Sequence, residues 1–160
     1  VGESAWLLEL ARGAAVLAAH RALDALADPA IVDLVPGADT LLVVADPAQR
    51  TDPARLTCIE RDALAGRLPA PATPAEHVHE IAVRYDGEDL GEIAARAGLA
   101  LADVVARHTA AIYRVAFVGF QAGFAYLAGL PAELHVPRRA TPRPRVPAGS
   151  VAIGGEWTGV

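Results

Sequence analysis

Four arginines set among prolines are the first residues in this chain that could do chemistry. Arg138, Arg139, Arg143 and Arg145 lie among Pro137, Pro142, Pro144 and Pro147. Each proline fixes its own φ and pushes its predecessor toward extended geometry, so the segment is expected to be a stiff, extended strap. A guanidinium presents planar donors that match a carboxylate or phosphate bidentately, and a rigid backbone lowers the ordering cost of binding. Each of the four either grips an anion, stands as a solvated charge, or pairs with acidic groups elsewhere in the fold. Just upstream, Gly119 and Gly123 fall among Phe117, Phe120, Phe124 and Tyr126. Glycine lets another backbone or a ligand come close, so a tight aromatic-walled bend is expected here. His108 precedes it at a helix end. An imidazole titrates near neutral pH and would suit a general acid or base, or it caps and packs that helix end. His135, ahead of the strap, is the other candidate titrating group.

Other chemistry finds little support. The single cysteine, Cys58 in LTCIE, excludes an internal disulfide and a multi-cysteine metal site, and its setting reads as an inert thiol buried on a helix. His77 and His79 share a strand face with no nearby third ligand, a weak metal signal that favours solvent exposure; no metal is expected. His20 lies beside an apolar helical stripe as an interface histidine. Ser150, in Gly149-Ser150-Val151, lacks the nucleophile-elbow pattern and reads as a turn residue. All 14 basic residues are arginine, so Schiff-base chemistry and a P-loop lysine are excluded. Residues 1–113 hold 9 Arg against 17 acids, net −8, while 114–160 hold 5 against 2, net +3, so an anionic small molecule or acidic partner is drawn to the C-terminal part.

The elements that must position these residues follow from pattern. With 160 residues and 53% hydrophobic composition the chain can bury a core as one domain or two small lobes. Ala5–Leu10 suits a first strand. Arg12–Ala27 carries Val16, Ala19, Leu23 and Leu26 at helical spacing and ends at Asp28-Pro29. Ile31–Val35 and Thr40–Ala45, split by Pro-Gly-Ala-Asp, read as paired strands. Asp52 is an N-cap for a helix that begins at Pro53 and runs to about Ala65. The proline-rich stretch Leu68–Pro74 is the clearest linker. Beyond it Val78–Tyr85 alternates as a half-buried strand should, with Ile81, Val83 and Tyr85 on one face. Two short helices around Gly98 have a helix-turn-helix pattern. From Asp86 to Arg107, however, 5 acids face 2 arginines, so phosphate neutralisation is excluded and a structural hairpin is expected, with no nucleic-acid partner. No apolar run reaches membrane-spanning length and no secretory signal opens the sequence, which reads as soluble and cytoplasmic. The fold expected is α+β: a small lobe over residues 1–75 and a β-rich lobe over 76–160.

The stretch GFQAGFAYL, Gly119–Leu127, followed by PRRATPRPRVPAGSVAI, Pro137–Ile153, resembles the signature of a known family. That family includes the B-type subunit of prokaryotic 5-oxoprolinase, allophanate hydrolase subunit 1 and a sporulation-kinase inhibitor. Its pattern is G-F-x-P-G-F-x-Y-L, then P-R-x-x-x-P-R-x-x-V-P-x-G-S-V-x-I. The resemblance extends weakly upstream through Arg107–Phe117 and to GESAWLLEL near the start. Ala122 stands where the family has proline, which would loosen the bend, and Trp157 where glutamine is usual. Relatives also run on through further strands.

The resemblance implies that the second lobe is a cyclophilin-like barrel, incomplete at its C-terminal end. It implies a homologous, carboxyltransferase-like partner of C type, a third, lactamase-like component, and an ATP-dependent hydrolase complex opening a small anionic lactam or amide. ATP belongs to the complex, and no biotin is expected on this chain. Within that reading Arg139, Arg143 and Arg145 hold the substrate carboxylate or an activated intermediate. His108 moves a proton, and Phe120, Gly123, Phe124 and Tyr126 form the wall that excludes water. The alternatives are an allophanate hydrolase component and a non-enzymatic inhibitor of a sensor histidine kinase.

Overall fold

A computed structural model of the chain describes residues 4–11, 13–49, 51–69 and 77–160. It divides into two compact units, Val1–His77 and Val78–Val160. Of the expected linker Leu68–Pro74, residues 70–74 lie outside the described residues, and Leu68 packs against the core of the first unit.

In the first unit the order is β1 (Ala5–Glu9), α1 (Ala14–Asp24), β2 (Ile31–Pro36), β3 (Thr40–Ala45) and α2 (Pro53–Leu64). The strands form one antiparallel sheet in the order β1-β3-β2, with Leu8 opposite Leu41. Along β3 every second residue is buried, Leu41, Val43 and Ala45, because alternate side chains share one face of a pleated strand. That face joins Val16, Ala19 and Leu23 of α1 and Leu56 and Ala63 of α2 in a single core. The start of α2 follows its sequence signal: the Asp52 carboxylate accepts from Ala54 N at 3.0 Å, and Pro53 takes a first-turn position where a missing N–H costs nothing. Helix α1 is shorter than its apolar spacing predicts. After Asp24 the chain tightens into turns, Ala27 takes φ 46°, and Asp28-Pro29 ends the helical path.

Cys58 corrects one expectation: it is exposed. It lies two residues from buried Leu56, about 200° around the helix, and so on the opposite face. There its sulfur accepts from Arg61 at 3.3 Å and lies 3.7 Å from the Asp62 carboxylate.

The second unit opens with residues 78–87, which hold no strand or helix, so the expected strand Val78–Tyr85 is not formed. An alternating pattern becomes a strand only against a partner ladder, and Val78 and Ile81 instead remain exposed. Helices α3 (Leu90–Ala97) and α4 (Leu101–Ala110) follow, joined at Gly98, whose φ of 65° supplies the left-handed helix stop. Strands β4 (Arg114–Val118) and β5 (Ala125–Ala128), a 3-10 turn at Ala132–Leu134, and strands β6 (Ala152–Gly154) and β7 (Trp157–Gly159) complete it. The sheet is antiparallel in the order β4-β5-β7-β6. Ala94, Val104, Leu130 and Leu134 form its small core.

The described residues therefore contain four α-helices and two antiparallel sheets. The barrel expected of the second lobe is not closed among them. Strands of three to five residues in a four-membered sheet leave β4 and β6 as separate edges. The proline-rich strap, whose prolines cannot donate to a ladder, adds no strand between them. No helix among the described residues is long and apolar enough to cross a membrane.

Candidate functional site

The signature residues build an aromatic face on the β4-β5 hairpin. Phe117 of β4 stacks on Tyr126 of β5 with ring centroids 4.4 Å apart, and Trp157 of β7 meets Phe117 edge-on at 5.5 Å. Phe124 packs edge-on against Tyr126 at 5.2 Å and against Phe120 at 5.7 Å. The hairpin loop is closed by Gly119 N donating to Phe124 O at 3.1 Å. Inside it, Gln121 N donates to Gly119 O at 2.8 Å across Phe120, whose φ is 69°. An i to i+2 hydrogen bond around a residue of positive φ is the rare, strained form of the γ-turn. Phe120 is held in it with its side chain 86% exposed. Gly123, φ 79°, completes the loop without strain. The loop is hydrogen-bonded with Ala122 at the position where proline was the expected residue, and Trp157 adds a ring to the face.

The strap reaches this face through Arg138, one of the four candidate arginines but not one of the three expected to hold the substrate; its guanidinium lies 6.0 Å over the Tyr126 ring, at the outer limit of a cation–π contact. The next arginines turn to the entrance of α3. Arg139 Nη1 donates to Asp89 Oδ1 at 2.7 Å and lies 3.5 Å from a Glu92 oxygen. Arg143 Nη2 donates to the same Asp89 oxygen at 2.5 Å, and its Nη1 donates to Glu88. Two guanidinium groups thus converge on one carboxylate oxygen. Arg145 is exposed. The structure brings Arg139 and Arg143 together, and Phe120, Gly123, Phe124 and Tyr126 together, with Arg138 as the strap residue on the aromatic face. The acidic partners were signalled by the negative excess over 86–107; which acids they would be depends on contacts some fifty residues apart.

His108 is 6% exposed on α4. Its Nδ1 lies 2.7 Å from the Tyr85 hydroxyl and its Nε2 3.2 Å from Thr158 Oγ1. Thr158 Oγ1 donates its one proton to Ala152 O at 2.9 Å, so it accepts from His108 Nε2–H. Nδ1 then bears no proton and accepts from Tyr85 O–H. The ring is neutral, and burial holds its pKa below 6.5. Tyr113, tilted against the imidazole at 5.2 Å, donates to His108 O at 2.8 Å. Burial, with a smaller contribution from Tyr85, pushes the Tyr113 phenol up to about 12, and burial also raises Tyr85. His108 therefore sits inside a packed network with both nitrogens engaged by protein groups.

The remaining candidates have local roles. His135 Nε2 donates to Leu130 O at 3.0 Å, and Ser150 Oγ donates to Pro147 O at 2.7 Å in a turn. His77 and His79 are exposed. No group of three or more His, Cys, Asp or Glu among the described residues is arranged to hold a metal ion. A cleft of about 250 Å³ in the first unit, lined in part by His20, Asp24, Asp28 and Asp33, contains none of the expected site residues.

Residues 1–160 match the family described as carboxyltransferase domain, subdomain C and D. The chain belongs to this family. It is 39% identical to the B-type subunit of 5-oxoprolinase from Escherichia coli O157:H7, over all of this chain and 75% of that protein. It is 52% identical to the B-type 5-oxoprolinase subunit of Haemophilus influenzae over 51% of this chain and 39% of that one. The crystal structure of TTHA0988 superposes with a TM-score of 0.75 at 38% identity, covering 98% of this chain. The carboxyltransferase-domain chain spans only 32% of the TTHA0988 chain. The family resemblance carried by Gly119–Leu127 and Pro137–Ile153 is borne out.

Proposed function

We propose that this carboxyltransferase-domain chain serves as a B-type subunit of a 5-oxoprolinase complex that opens 5-oxoproline to glutamate at the expense of ATP. Three curated relatives, at 39%, 52% and 44% identity, are named as the B-type subunit of 5-oxoprolinase, which supports this reading. In the reaction the lactam C–N bond breaks, water supplies hydroxyl to the carbonyl carbon and a proton to the nitrogen, and ATP is hydrolysed. A carboxyltransferase-like partner of C type and a lactamase-like component complete the hetero-oligomer. Residues 1–160 hold no lysine, so these residues supply no lysine-based phosphate cradle for ATP.

The observation that carries the reading is the convergence of Arg139 and Arg143 on one oxygen of Asp89. That carboxylate stands where the substrate carboxylate binds, and exchange of one for the other loads the site. Arg145, on the same strap, adds to the positive field. Phe120, Phe124 and Tyr126 supply the apolar wall, with Gly123 shaping the loop that presents it. Proton transfer at His108 would require Tyr85 to release Nδ1.

The test is ATP-dependent glutamate release from 5-oxoproline, assayed with this chain alone, with the partners alone, and with all of them. Release confined to the full set is expected. Equal release by the partners alone would overturn the proposal.

A further inference from the structure

His108 belongs to a polar network that the anion site does not use. Its neighbours come from four places in the second unit: Tyr85 from the segment before α3, Tyr113 from the turn after α4, Thr158 from β7, and Ala152 from β6 through Thr158. On its own helix Arg107 donates to Glu133 of the 3-10 turn at 2.8 Å, so the charge next along the chain is neutralised at the surface. The titratable groups facing the ring are the two phenols, both kept protonated by burial. Strand β7 is only three residues long; it pairs with β5 at two positions, Tyr126 opposite Gly159 and Leu127 opposite Thr158, and with the equally short β6 at three. A strand this short has few ladder bonds, so a buried side-chain hydrogen bond adds a further anchor. Thr158 is 2% exposed and provides it.

The residues on either side of Thr158 touch the aromatic face. Trp157 lies edge-on to Phe117 at 5.5 Å. Gly159 passes so close to Phe124 that a Cβ there would sit 2.6 Å from the ring's Cζ. A displacement of β7 by a fraction of an ångström therefore reaches Phe117 and Phe124 directly.

We propose that His108 is a positioning residue: its Nε2–H, through Thr158, fixes β7 against the aromatic face, and Tyr85 holds the imidazole in the tautomer this requires. Protonation places a second N–H on Nδ1 facing the Tyr85 oxygen, so the phenol must turn its own proton away, and it puts a charge in a buried site with no facing carboxylate, so the network around the ring opens toward water and the hold on β7 loosens with it. The aromatic face is then coupled to pH through one buried ring.

The test uses the full chain with Trp6→Phe, which leaves Trp157 as the one tryptophan reporter. Trp157 emission should red-shift as pH falls, with a midpoint below 6.5. His108→Gln, which keeps a donor at the Nε2 position and does not titrate, should retain the neutral-pH spectrum and lose the transition. Tyr85→Phe should move the midpoint upward. Thr158→Val should show the red-shifted spectrum already at neutral pH. Nitrogen NMR of the imidazole should report a neutral Nε2–H ring at pH 7. An unchanged transition in His108→Gln, a parental spectrum in Thr158→Val, or an Nδ1–H tautomer would each overturn the proposal. If His108→Gln does not fold, the Thr158→Val spectrum and the tautomer decide. None of these readouts needs a substrate, so they are independent of the oxoprolinase reading.

Discussion

Replacing Phe120 by glycine and, separately, by alanine separates the cost of its backbone from the use of its ring. Phe120 combines a φ of 69° with a side chain that is 86% exposed. Both variants delete the same edge contact with Phe124, worth about 0.5–1.5 kcal/mol and nearer the low figure at an exposed pair. Alanine keeps the positive-φ strain, about 1–3 kcal/mol at such a position. Glycine relieves it and adds a chain-entropy cost of about 0.5–1 kcal/mol. The glycine variant is thus expected to be the more stable by about 0–2.5 kcal/mol, the reverse of the order in an ordinary strand. In a unit of this size each kcal/mol is about 4–8 °C in Tm, so thermal unfolding followed by circular dichroism resolves the pair. Both variants should raise KM in the reconstituted complex, since neither presents a ring. An alanine variant more stable than the glycine variant would refute the strain argument. A loss of about 3–5 kcal/mol in both, as for a buried phenylalanine, would refute the surface role.

Arg143→Ala should cost only about 0–1 kcal/mol of stability, because its pairs with Glu88 and Asp89 are surface pairs, yet raise KM of the complex for 5-oxoproline; unchanged kinetics would remove Arg143 from the site. Asp89→Asn should act oppositely and lower KM, by removing the carboxylate that competes with substrate. Gly129→Ala should destabilise by about 2 kcal/mol or more in urea unfolding, since φ is 105° and its Cβ would lie 2.7 Å from the Ile112 carbonyl oxygen. For pH, a buried neutral histidine binds protons less readily folded than unfolded, so stability should fall as pH drops through 6.5 toward the lower folded value of His108. Tyr113, raised from 10.0 to about 12, loses its proton first in the unfolded chain, so stability should also fall as pH rises across that interval. Denaturation midpoints against pH, repeated in His108→Gln and Tyr113→Phe, check both limbs.

What the sequence made legible was local. Thr40–Ala45 emerges with the expected bounds because an unbroken apolar run follows a Pro-Gly turn and its partners lie on both sides. Asp52-Pro53 and Gly98 mark helix ends because capping and left-handed φ are properties of one or two residues. Val78–Tyr85 carries a clear alternation and forms no strand, since pairing is a property of two segments. Cys58 looked apolar in context, and only its angle from Leu56 around α2 would have placed it outside. The aromatic face was readable from its glycines and rings. Its contacts with Arg138 and Trp157 were not, because they join segments that the strap separates.

The same distinction explains why the arginines of the strap behave differently from one another. Proline stiffening fixes the backbone path, and stiffness alone does not choose a partner. Arg138 reaches a ring quadrupole, while Arg139 and Arg143 reach the acids at the start of α3. The net charges of −8 over residues 1–113 and +3 over 114–160 are therefore not two independent fields. Part of the positive excess is already neutralised by Glu88, Asp89 and Glu92, so an arriving anion meets paired guanidinium groups rather than bare ones. In the proposed site, exchange against Asp89 would lower apparent affinity relative to free arginines and would also keep the fork assembled between encounters. Strand β7 supplies a separate constraint on the aromatic face, with Thr158 tied to a neutral His108 and Trp157 set against Phe117. Two guanidinium groups held on one carboxylate and an aromatic face held beside β7 are both present in the folded unit, and the positive φ of Phe120 is the local cost of the second.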